Sequence, residues 1–154
     1  MPNPTSNPTP NPTLHIRPYE AADEAAVIAL WHECGLTRPW NDPQRDIARK
    51  LTVQPELFLI ATTGAGPVAT AMVGFDGHRG WVNYLAVAPS HRHQSIGRVL
   101  MHEAERLLIA RGCPKLNLQV RSTNVEVLAF YRALGYAQDD VVSLGRRLIA
   151  DDGA

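Results

Sequence analysis

The chain has 154 residues, of which 45% are hydrophobic and 19% are charged, and 15 basic residues balance 15 acidic ones. This size supports one globular domain with one core and is too small for two domains of ordinary size. A zero net charge gives no field that would gather a polyanion, so we do not expect nucleic acid as a partner, and no apolar run approaches the length of a membrane span.

The two cysteines, Cys34 and Cys113, form neither a CxxC motif nor any metal-ligand spacing. The N-terminus lacks the charged and apolar regions of a secretory signal. We therefore interpret the cysteines as small buried side chains and expect a reduced, cytoplasmic protein without a metal.

Residues 1–13 repeat Asn-Pro-Thr and contain no apolar residue after Met1. Proline fixes φ and removes hydrogen-bond donors, so this segment cannot bury enough surface to offset its ordering entropy. We predict a disordered or polyproline-like tail, with a proline-recognition motif as the alternative. The predicted single domain covers residues 14–152.

The first elements have recognisable boundaries. Residues 14–17 alternate in polarity and predict an edge strand that ends at Pro18. Asp23 is predicted to cap a first helix. Asp42 is predicted to cap a second, short helix that has Pro43 in its first turn.

The later elements alternate with short connections. Strands are predicted at residues 57–61, 68–75, 81–87, 116–121 and 141–144, and helices at residues 96–111 and 124–134. Asn124 is predicted to cap the second of these helices. The first three of these strands form an antiparallel meander, because the turns between them are short. The fourth must lie parallel to the third, since a helix crosses between them. Residues 146–152 are predicted to be a solvated end.

The turn that joins the strand at residues 81–87 to the next helix is rich in positive charge. The first amides of a helix have no intrahelical partner, and the helix dipole adds partial positive charge there, which favours anions. Gly97 lets a ligand approach the backbone, and His91, Arg92 and His93 add positive charge beside it. A phosphate or pyrophosphate is the ligand that suits this junction best.

Two short motifs resemble the signatures of a known family, the GNAT N-acetyltransferases. Residues 92–97 read RHQSIG and resemble the family's acetyl-coenzyme A signature, which is Gln or Arg, two residues, Gly, one residue, then Gly or Ala. Ser95 stands in place of the first glycine. Residues 124–136 read NVEVLAFYRALGY and are similar to the family's second signature.

The order of the predicted elements over residues 14–149 is also that of the family. The resemblance implies an α/β GNAT fold, with a mixed central sheet of about six to seven strands that is splayed between strands 4 and 5 and flanked by four helices. It implies an acyltransferase that moves the acetyl group of acetyl-CoA to a primary amine of a small molecule or a peptide N-terminus, by direct attack through a tetrahedral intermediate. It also implies that two copies pair through their C-terminal strands.

The resemblance further implies a cofactor site, with the pantetheine in the cleft where the strands at residues 81–87 and 116–121 splay apart. The pyrophosphate is expected at residues 92–97, and main-chain groups of Leu85 and Val87 are expected to hold the pantetheine amides as if they were an added strand. The cofactor-binding residues implied are Leu85, Ala86, Val87, Arg92, His93, Gln94, Ser95, Ile96, Gly97, Arg98, Asn124, Phe130 and Tyr131.

Two catalytic roles are implied by the resemblance. Tyr131 is expected to place its hydroxyl on the thioester sulfur, because a phenol with a pKa near 10 stays neutral at pH 7 and can give a proton to a departing thiolate with a pKa of about 8.5. The alternative is an ordinary core aromatic. The backbone amide near Leu85 is the expected oxyanion donor.

A general base is missing from the pattern. The family's ribosomal-protein alanine acetyltransferases have a glutamate where this chain has Gln119, and glutamine cannot take a proton at neutral pH. Deprotonating an amine of pKa 10.4 at pH 7 costs about 4.6 kcal/mol, whereas an α-amine of pKa near 8 costs about 1.4 kcal/mol. We therefore predict a less basic acceptor amine and a water relay through Tyr84, Asn83 and Gln119.

The acceptor site and two other functions stay open. In the resembled family the region between the first two helices borders the acceptor, so Arg38 and Trp40 are expected substrate contacts together with Asn83 and Gln119; packing of Trp40 on its own helix is the alternative. The other functions are a protein lysine acetyltransferase and a coenzyme A-binding module without turnover. Ser95 and Gln119 would favour the second of these.

Overall fold

A five-stranded mixed sheet and four α-helices make up the computed structural model, which describes residues 14–151. The strands are β1 (His15–Pro18), β2 (Phe58–Thr63), β3 (Gly66–Phe75), β4 (Gly80–Val87) and β5 (Leu116–Leu118). The helices are α1 (Glu24–Glu33), α2 (Pro43–Lys50), α3 (Ile96–Ala110) and α4 (Val125–Ala133). The predicted tail at residues 1–13 lies outside the described residues. No helix within residues 14–151 is long and apolar enough to cross a membrane.

The strands lie side by side in chain order, from β1 at one edge to β5 at the other. The first four are antiparallel, and β5 is parallel to β4. A parallel pair needs a crossover connection, which α3 supplies by packing on one face of the sheet. The predicted meander and the predicted crossover are therefore confirmed.

Alternation along β2 divides the core into two clusters, one on each face of the sheet. Leu59 packs in the cluster that contains Leu100 of α3. Phe58 and Ile60 pack in the cluster that contains Trp31 of α1. Because successive strand side chains point to opposite faces, α1 and α2 cover one face and α3 and α4 cover the other.

Two of the predicted helix caps are confirmed. Asp42 Oδ1 accepts a hydrogen bond from the backbone N–H of Gln44 at 2.9 Å, at the start of α2. Asn124 Oδ1 accepts one from the backbone N–H of Val127 at 3.3 Å, at the start of α4. Each satisfies a helix amide that has no intrahelical partner.

The predicted cap at Asp23 is wrong, because its side chain makes no capping bond to α1. The carboxylate instead accepts the backbone N–H of Glu20 at 2.9 Å and the Arg17 guanidinium at 2.7 and 2.9 Å. The bond to Arg17 lowers the pKa of Asp23 below its usual range. Asp23 therefore fixes the turn from β1 into α1.

The sheet opens between β4 and β5. The two strands pair only from Gly80 to Val82, against Leu116 to Leu118, and β5 ends there, three residues earlier than predicted. β4 continues to Val87 without a partner on that side. The main chain of β4 beyond Val82 therefore has no neighbouring strand on that side and can bind another extended chain. The Val87 carbonyl there accepts a hydrogen bond from the Cys34 thiol at 3.4 Å.

A bulge at Tyr84 and Leu85 lies just beyond this opening. There, two residues of β4 face one residue of β3, Ala71. Tyr84 has a φ of 51°, in the left-handed region that non-glycine residues rarely adopt. The bulge changes the direction of the backbone at the point where β4 has no neighbour on the β5 side.

The predicted strand at residues 141–144 is wrong. The structure has no strand there, and the aliphatic side chains of the segment are exposed. Lys115 binds the Asp139 carboxylate at 2.8 Å and Gln119 Nε2 donates to Ser143 Oγ at 2.6 Å. These side-chain contacts hold the segment beside β5 without a backbone ladder, so the described sheet has five strands and not six to seven.

The predicted solvated end is corrected at Asp151. Its side chain is fully enclosed and accepts hydrogen bonds from Arg49 at 2.9 Å and from the backbone N–H of Asp42 at 3.3 Å. The bond to Arg49 lowers the pKa of Asp151 far below its usual range. Arg147 donates to the Asn41 side chain nearby. Residues 137–151, the C-terminal segment, thus end against the start of α2.

A buried hydrogen-bonded chain ties the bulge to the core. Trp31 Nε1 donates to Thr70 Oγ1 at 3.0 Å, and Thr70 Oγ1 donates to the backbone carbonyl of Tyr84 at 2.7 Å. The Tyr84 ring also stacks on Trp31, with the ring centroids 3.8 Å apart. The left-handed backbone of Tyr84 is therefore fixed both at its carbonyl, by Thr70, and at its ring, by Trp31.

The first test replaces Thr70 with valine, which leaves the Trp31 N–H and the Tyr84 carbonyl without their buried partner. We expect the free energy of unfolding to fall by about 1 to 3 kcal/mol, the usual cost of such unsatisfied groups. Urea denaturation followed by circular dichroism measures it. Thr62→Val, at a half-buried position of β2, is the matched control and should change stability by about 0.5 kcal/mol or less. Equal effects in the two variants would contradict a role for the chain of hydrogen bonds.

Ser95, the residue before α3, also has a left-handed backbone. Its φ is 63°, and its hydroxyl makes no capping hydrogen bond to the helix. The side chain therefore contributes no cap to offset the backbone strain. Glycine at this position would adopt the same backbone without contact between Cβ and the carbonyl oxygen.

Ser95→Gly is expected to raise the free energy of unfolding by about 0.5 to 1 kcal/mol, because the left-handed penalty exceeds the entropy that glycine adds to the unfolded chain. The paired control is Ser90→Gly, in the 3₁₀ turn Pro89–His91, where φ is not positive. That change should lower stability by a similar amount. Thermal and urea unfolding of both variants give the comparison, and a loss of stability in Ser95→Gly would show that the turn is not strained.

Candidate active site

Two adjoining cavities, of about 770 and 780 Å³, meet at the open side of β4. We call the one at the start of α3 the donor cavity and the one beside α2 the acceptor cavity. The residues that line both are Cys34, Leu36, Leu85, Asn124, Val127 and Tyr131. Three sequence-predicted residues, Leu85, Asn124 and Tyr131, therefore lie at the junction.

The donor cavity brings together nearly all of the residues predicted to bind the cofactor. Of the 13 predicted positions, Gln94 does not line it. The rest come from the free part of β4, the turn before α3, the first turn of α3 and the inner face of α4. The predicted residues that line it are Leu85, Ala86, Val87, Arg92, His93, Ser95, Ile96, Gly97, Arg98, Asn124, Phe130 and Tyr131.

The turn into α3 combines free amides with positive charge. His93 and Ser95 both have a φ of 63°, and left-handed residues in a turn aim successive N–H groups into one concavity. The side chains of Arg92 and His93 are exposed beside it. A Cβ built on Gly97 would lie 3.2 Å from Phe130 Cζ, so glycine here also allows α4 to approach α3 closely. The turn therefore has the backbone geometry and the charge that suit an anion.

Tyr131 is buried at the junction and carries no hydrogen bond from its hydroxyl to any residue in the described range 14–151. The rings of Phe130 and Tyr136 contact its ring edge-on, with centroids 5.0 and 5.7 Å away. Burial raises the pKa of Tyr131 to about 12. The phenol is therefore protonated at neutral pH, and its hydroxyl is available to a ligand.

The acceptor cavity contains most of the residues predicted to contact substrate. Arg38, Asn83 and Gln119 line it, together with Tyr84. Trp40 lines neither cavity, and its side chain is 48% exposed.

Asp46 is the residue that sequence reasoning missed. It lines the acceptor cavity, and its Oδ2 accepts a hydrogen bond of 2.6 Å from the Tyr84 hydroxyl, although the two residues are 38 positions apart. Burial and this hydrogen bond raise the pKa of Tyr84 well above its usual value. The signal in the sequence was weak: Asp46 and Lys50 are spaced to lie on the same face of α2 as the apolar Ile47.

Two basic residues, Arg49 and Lys50, follow Asp46 on α2. Arg49 Nη1 donates to Asp46 Oδ1 at 3.1 Å and also binds Asp151 of the C-terminal segment. Lys50 is buried and donates to the carbonyl of Val73, and burial lowers the pKa of Lys50. Asp46 is thus held in place while one of its oxygens faces Tyr84.

The donor and acceptor cavities together can hold two reactants on either side of Leu85 and Tyr131. The donor side has backbone amides and positive charge that can bind an anionic group. On the acceptor side, the Tyr84 hydroxyl is hydrogen-bonded to the Asp46 carboxylate. Within residues 14–151, no group of three or more His, Cys, Asp or Glu side chains is placed to hold a metal ion. The arrangement suits group transfer between two organic ligands.

Comparison with known proteins identifies the family. The model of the acetyltransferase (GNAT) family matches residues 22–136. Acetyltransferase YE1169 of Yersinia enterocolitica is 47% identical over 138 residues, which cover 90% of this chain and 98% of the relative.

Solved structures share the fold. The ribosomal-protein-S18-alanine N-acetyltransferase of Escherichia coli has a TM-score of 0.67 and 24% identity, over 79% of this chain and 76% of that one. AAC(6')-Iy in complex with the bisubstrate analogue CoA-S-monomethyl-acetylneamine has a TM-score of 0.72 and 16% identity, over 88% and 99%. The family model and the 47% identical relative, which together cover the two cavities, show that this chain belongs to the GNAT family of acetyltransferases.

Proposed function

We propose that the protein is an N-acetyltransferase that moves the acetyl group of acetyl-CoA to a primary amine of a small molecule or a peptide N-terminus. The observation that carries the proposal is the junction of the two cavities. Leu85 and Tyr131 lie there, between a turn suited to a pyrophosphate and a cavity that holds a tyrosine bound to a carboxylate.

The residues of the donor cavity fit acetyl-CoA, which the GNAT family uses. The free main chain of β4 at Leu85 and Val87 can pair with the two pantetheine amides as an added strand would. The amides of the turn and the charges of Arg92 and Arg98 can bind the diphosphate. The bound thioester supplies an activated acetyl group, and these contacts would set its position at the junction.

Two groups would act on the reacting atoms. The N–H of Leu85, at the bulge, can donate to the carbonyl oxygen as that oxygen gains negative charge. Tyr131 can donate a hydrogen bond to the departing sulfur. Because its pKa is about 12, well above that of a thiol near 8.5, this phenol stabilises the thiolate by hydrogen bonding more readily than by complete proton transfer.

The acceptor amine must lose a proton, and Tyr84 with Asp46 offers a path. Tyr84 already donates to Asp46 Oδ2, so its oxygen can accept a proton from the amine or a water while its own proton passes to the carboxylate. The raised pKa of Tyr84 keeps it protonated before the step. Asn83 and Gln119 line the same cavity and can hold the relaying water. Asp46 thus supplies the carboxylate that is missing at position 119.

The proposal is tested by incubating the purified protein with acetyl-CoA and a panel of amines, and by following thiol release and the mass of the product. We expect acetylation of at least one small amine or peptide N-terminus. Tyr131→Phe should lower kcat by about 10²-fold, as loss of a positioned hydrogen-bond donor to a developing negative charge does, with little change in affinity for CoA measured by calorimetry. Binding of CoA without turnover of any amine, or acetylation of protein lysines alone, would overturn the proposal.

A second test replaces Asp46 with asparagine, which keeps the shape and the acceptor oxygen for Tyr84 but cannot take a proton. We expect kcat to fall by about 10²-fold or more, whereas the KM for acetyl-CoA should not change because Asp46 does not line the donor cavity. Asp42→Asn is the matched control, since the amide oxygen can still cap α2. Full activity of Asp46→Asn across the pH profile would show that the proton leaves by another route.

A further inference from the structure

The acceptor cavity is strongly basic although the whole chain is neutral. Only one acidic side chain, Asp46, lines it within the described residues. The basic side chains that line it are Arg38, Arg49, Lys50 and Arg121. This imbalance points to the charge of the acceptor.

Two of the four cations already have partners inside the protein. Arg49 is bound to Asp46 at 3.1 Å and to Asp151 at 2.9 Å, so acidic groups balance its charge. Lys50 donates to the backbone carbonyl of Val73 and is buried at the edge of the cavity. Arg49 is therefore not free to bind a ligand without giving up an ion pair, and the ammonium of Lys50 is less accessible to a ligand because the residue is buried.

Arg38 and Arg121 are different. Arg38 donates to the carbonyls of Gly35 and Thr37 at 2.8 and 3.1 Å, which orient the guanidinium without neutralising it. Arg121 makes no side-chain hydrogen bond or ion pair with another residue in the described range. Both residues line the cavity, and neither forms an ion pair with a carboxylate of the described chain. A planar guanidinium recognises carboxylate and phosphoryl oxygens by paired hydrogen bonds.

Arg38 and Arg121 come from separate parts of the fold, the loop between α1 and α2 and the chain just after β5. Asp46 and Tyr84 come from α2 and the bulge of β4. The acceptor cavity is therefore lined both by a tyrosine and a carboxylate that can attract an ammonium group and by two arginines that can attract an anion. Its volume of about 770 Å³ is in the range of small-molecule sites.

We propose, building on the N-acetyltransferase function above, that the acceptor is a small amine that also carries a carboxylate or phosphoryl group, bound by Arg38 and Arg121. Its amine would lie toward Tyr84 and Asp46. The unpaired guanidinium groups would disfavour polycationic amines, because like charges would be brought together in a partly enclosed site.

The test compares matched pairs of amines in the thiol-release assay with acetyl-CoA. One arm pairs amino acids with their amides, and the other pairs 2-aminoethyl phosphate with ethanolamine; spermidine and an aminoglycoside serve as polycations. We expect the anionic member of at least one pair to have a kcat/KM tenfold or more above its neutral partner. The compound without the anionic group has an ammonium of lower pKa, so more of its amine is unprotonated and able to attack. The expected preference for the compound with the anionic group therefore runs against intrinsic reactivity.

Variants of the two arginines test whether they bind the anionic group of the acceptor. Arg38→Gln and Arg121→Gln should each reduce the preference for the anionic member tenfold or more, through a higher KM for that amine. The control Arg132→Gln, an exposed arginine of α4 that lines neither cavity, should retain the preference. Calorimetry with CoA verifies that each variant is folded and binds the donor.

The outcomes are distinguishable. If amines are acetylated but neutral or polycationic members are preferred, the anionic assignment is overturned and the N-acetyltransferase function stands. If only acidic peptides are accepted, the small-molecule assignment is overturned. If Arg121→Gln raises the KM for acetyl-CoA instead, that residue belongs to the donor site, and its assignment to the anionic group of the acceptor is wrong. If no amine is accepted, the proposed function fails and this inference fails with it.

Discussion

The structure depends on the separation of β4 from β5 after three paired residues. A strand inside a sheet normally uses its main-chain groups on both sides, so the free side of β4 beyond Val82 leaves donors and acceptors that need a partner. An extended ligand can supply that partner without any particular side chains. The separation also makes room for α4 to place Tyr131 at the end of both cavities. The donor cavity is thus a consequence of where pairing stops.

A second constraint fixes the bulge of β4 on the opposite side. Tyr84 has its backbone carbonyl bound to Thr70, its ring stacked on Trp31 and its hydroxyl bound to Asp46. These contacts link the core beneath the sheet to the floor of the acceptor cavity. Because the same residue occupies the bulge beside Leu85, the position of the main-chain N–H and the position of the carboxylate are coupled. A change in core packing under Trp31 would therefore shift both the Leu85 N–H and the Asp46 carboxylate.

Local signals predicted most of the fold and the donor side. The caps Asp42 and Asn124, the meander and the crossover follow from short-range patterns, and the two motifs lie on single strand-turn-helix or helix segments. The errors came from contacts that no local pattern encodes. Asp46 meets Tyr84 only when α2 packs on the sheet, and Asp151 is enclosed only because Arg49 binds it. Residues 141–144 are rich in branched apolar residues, as strands are, but side-chain contacts hold them where no backbone ladder forms.

The two cavities differ in the same way, because one is formed by segments close in sequence and the other by segments far apart. The donor cavity is built from contiguous pieces of chain, β4 with its turn and α4, so two short motifs specify it. The acceptor cavity is assembled from the loop after α1, the helix α2 and the chain after β5, which are far apart in sequence. The charges that line it are therefore set by contacts between distant segments. Its single lining carboxylate, Asp46, is hydrogen-bonded to Tyr84, whereas Arg38 and Arg121 form no ion pair within the described residues, and this imbalance is what favours the anionic acceptor proposed above.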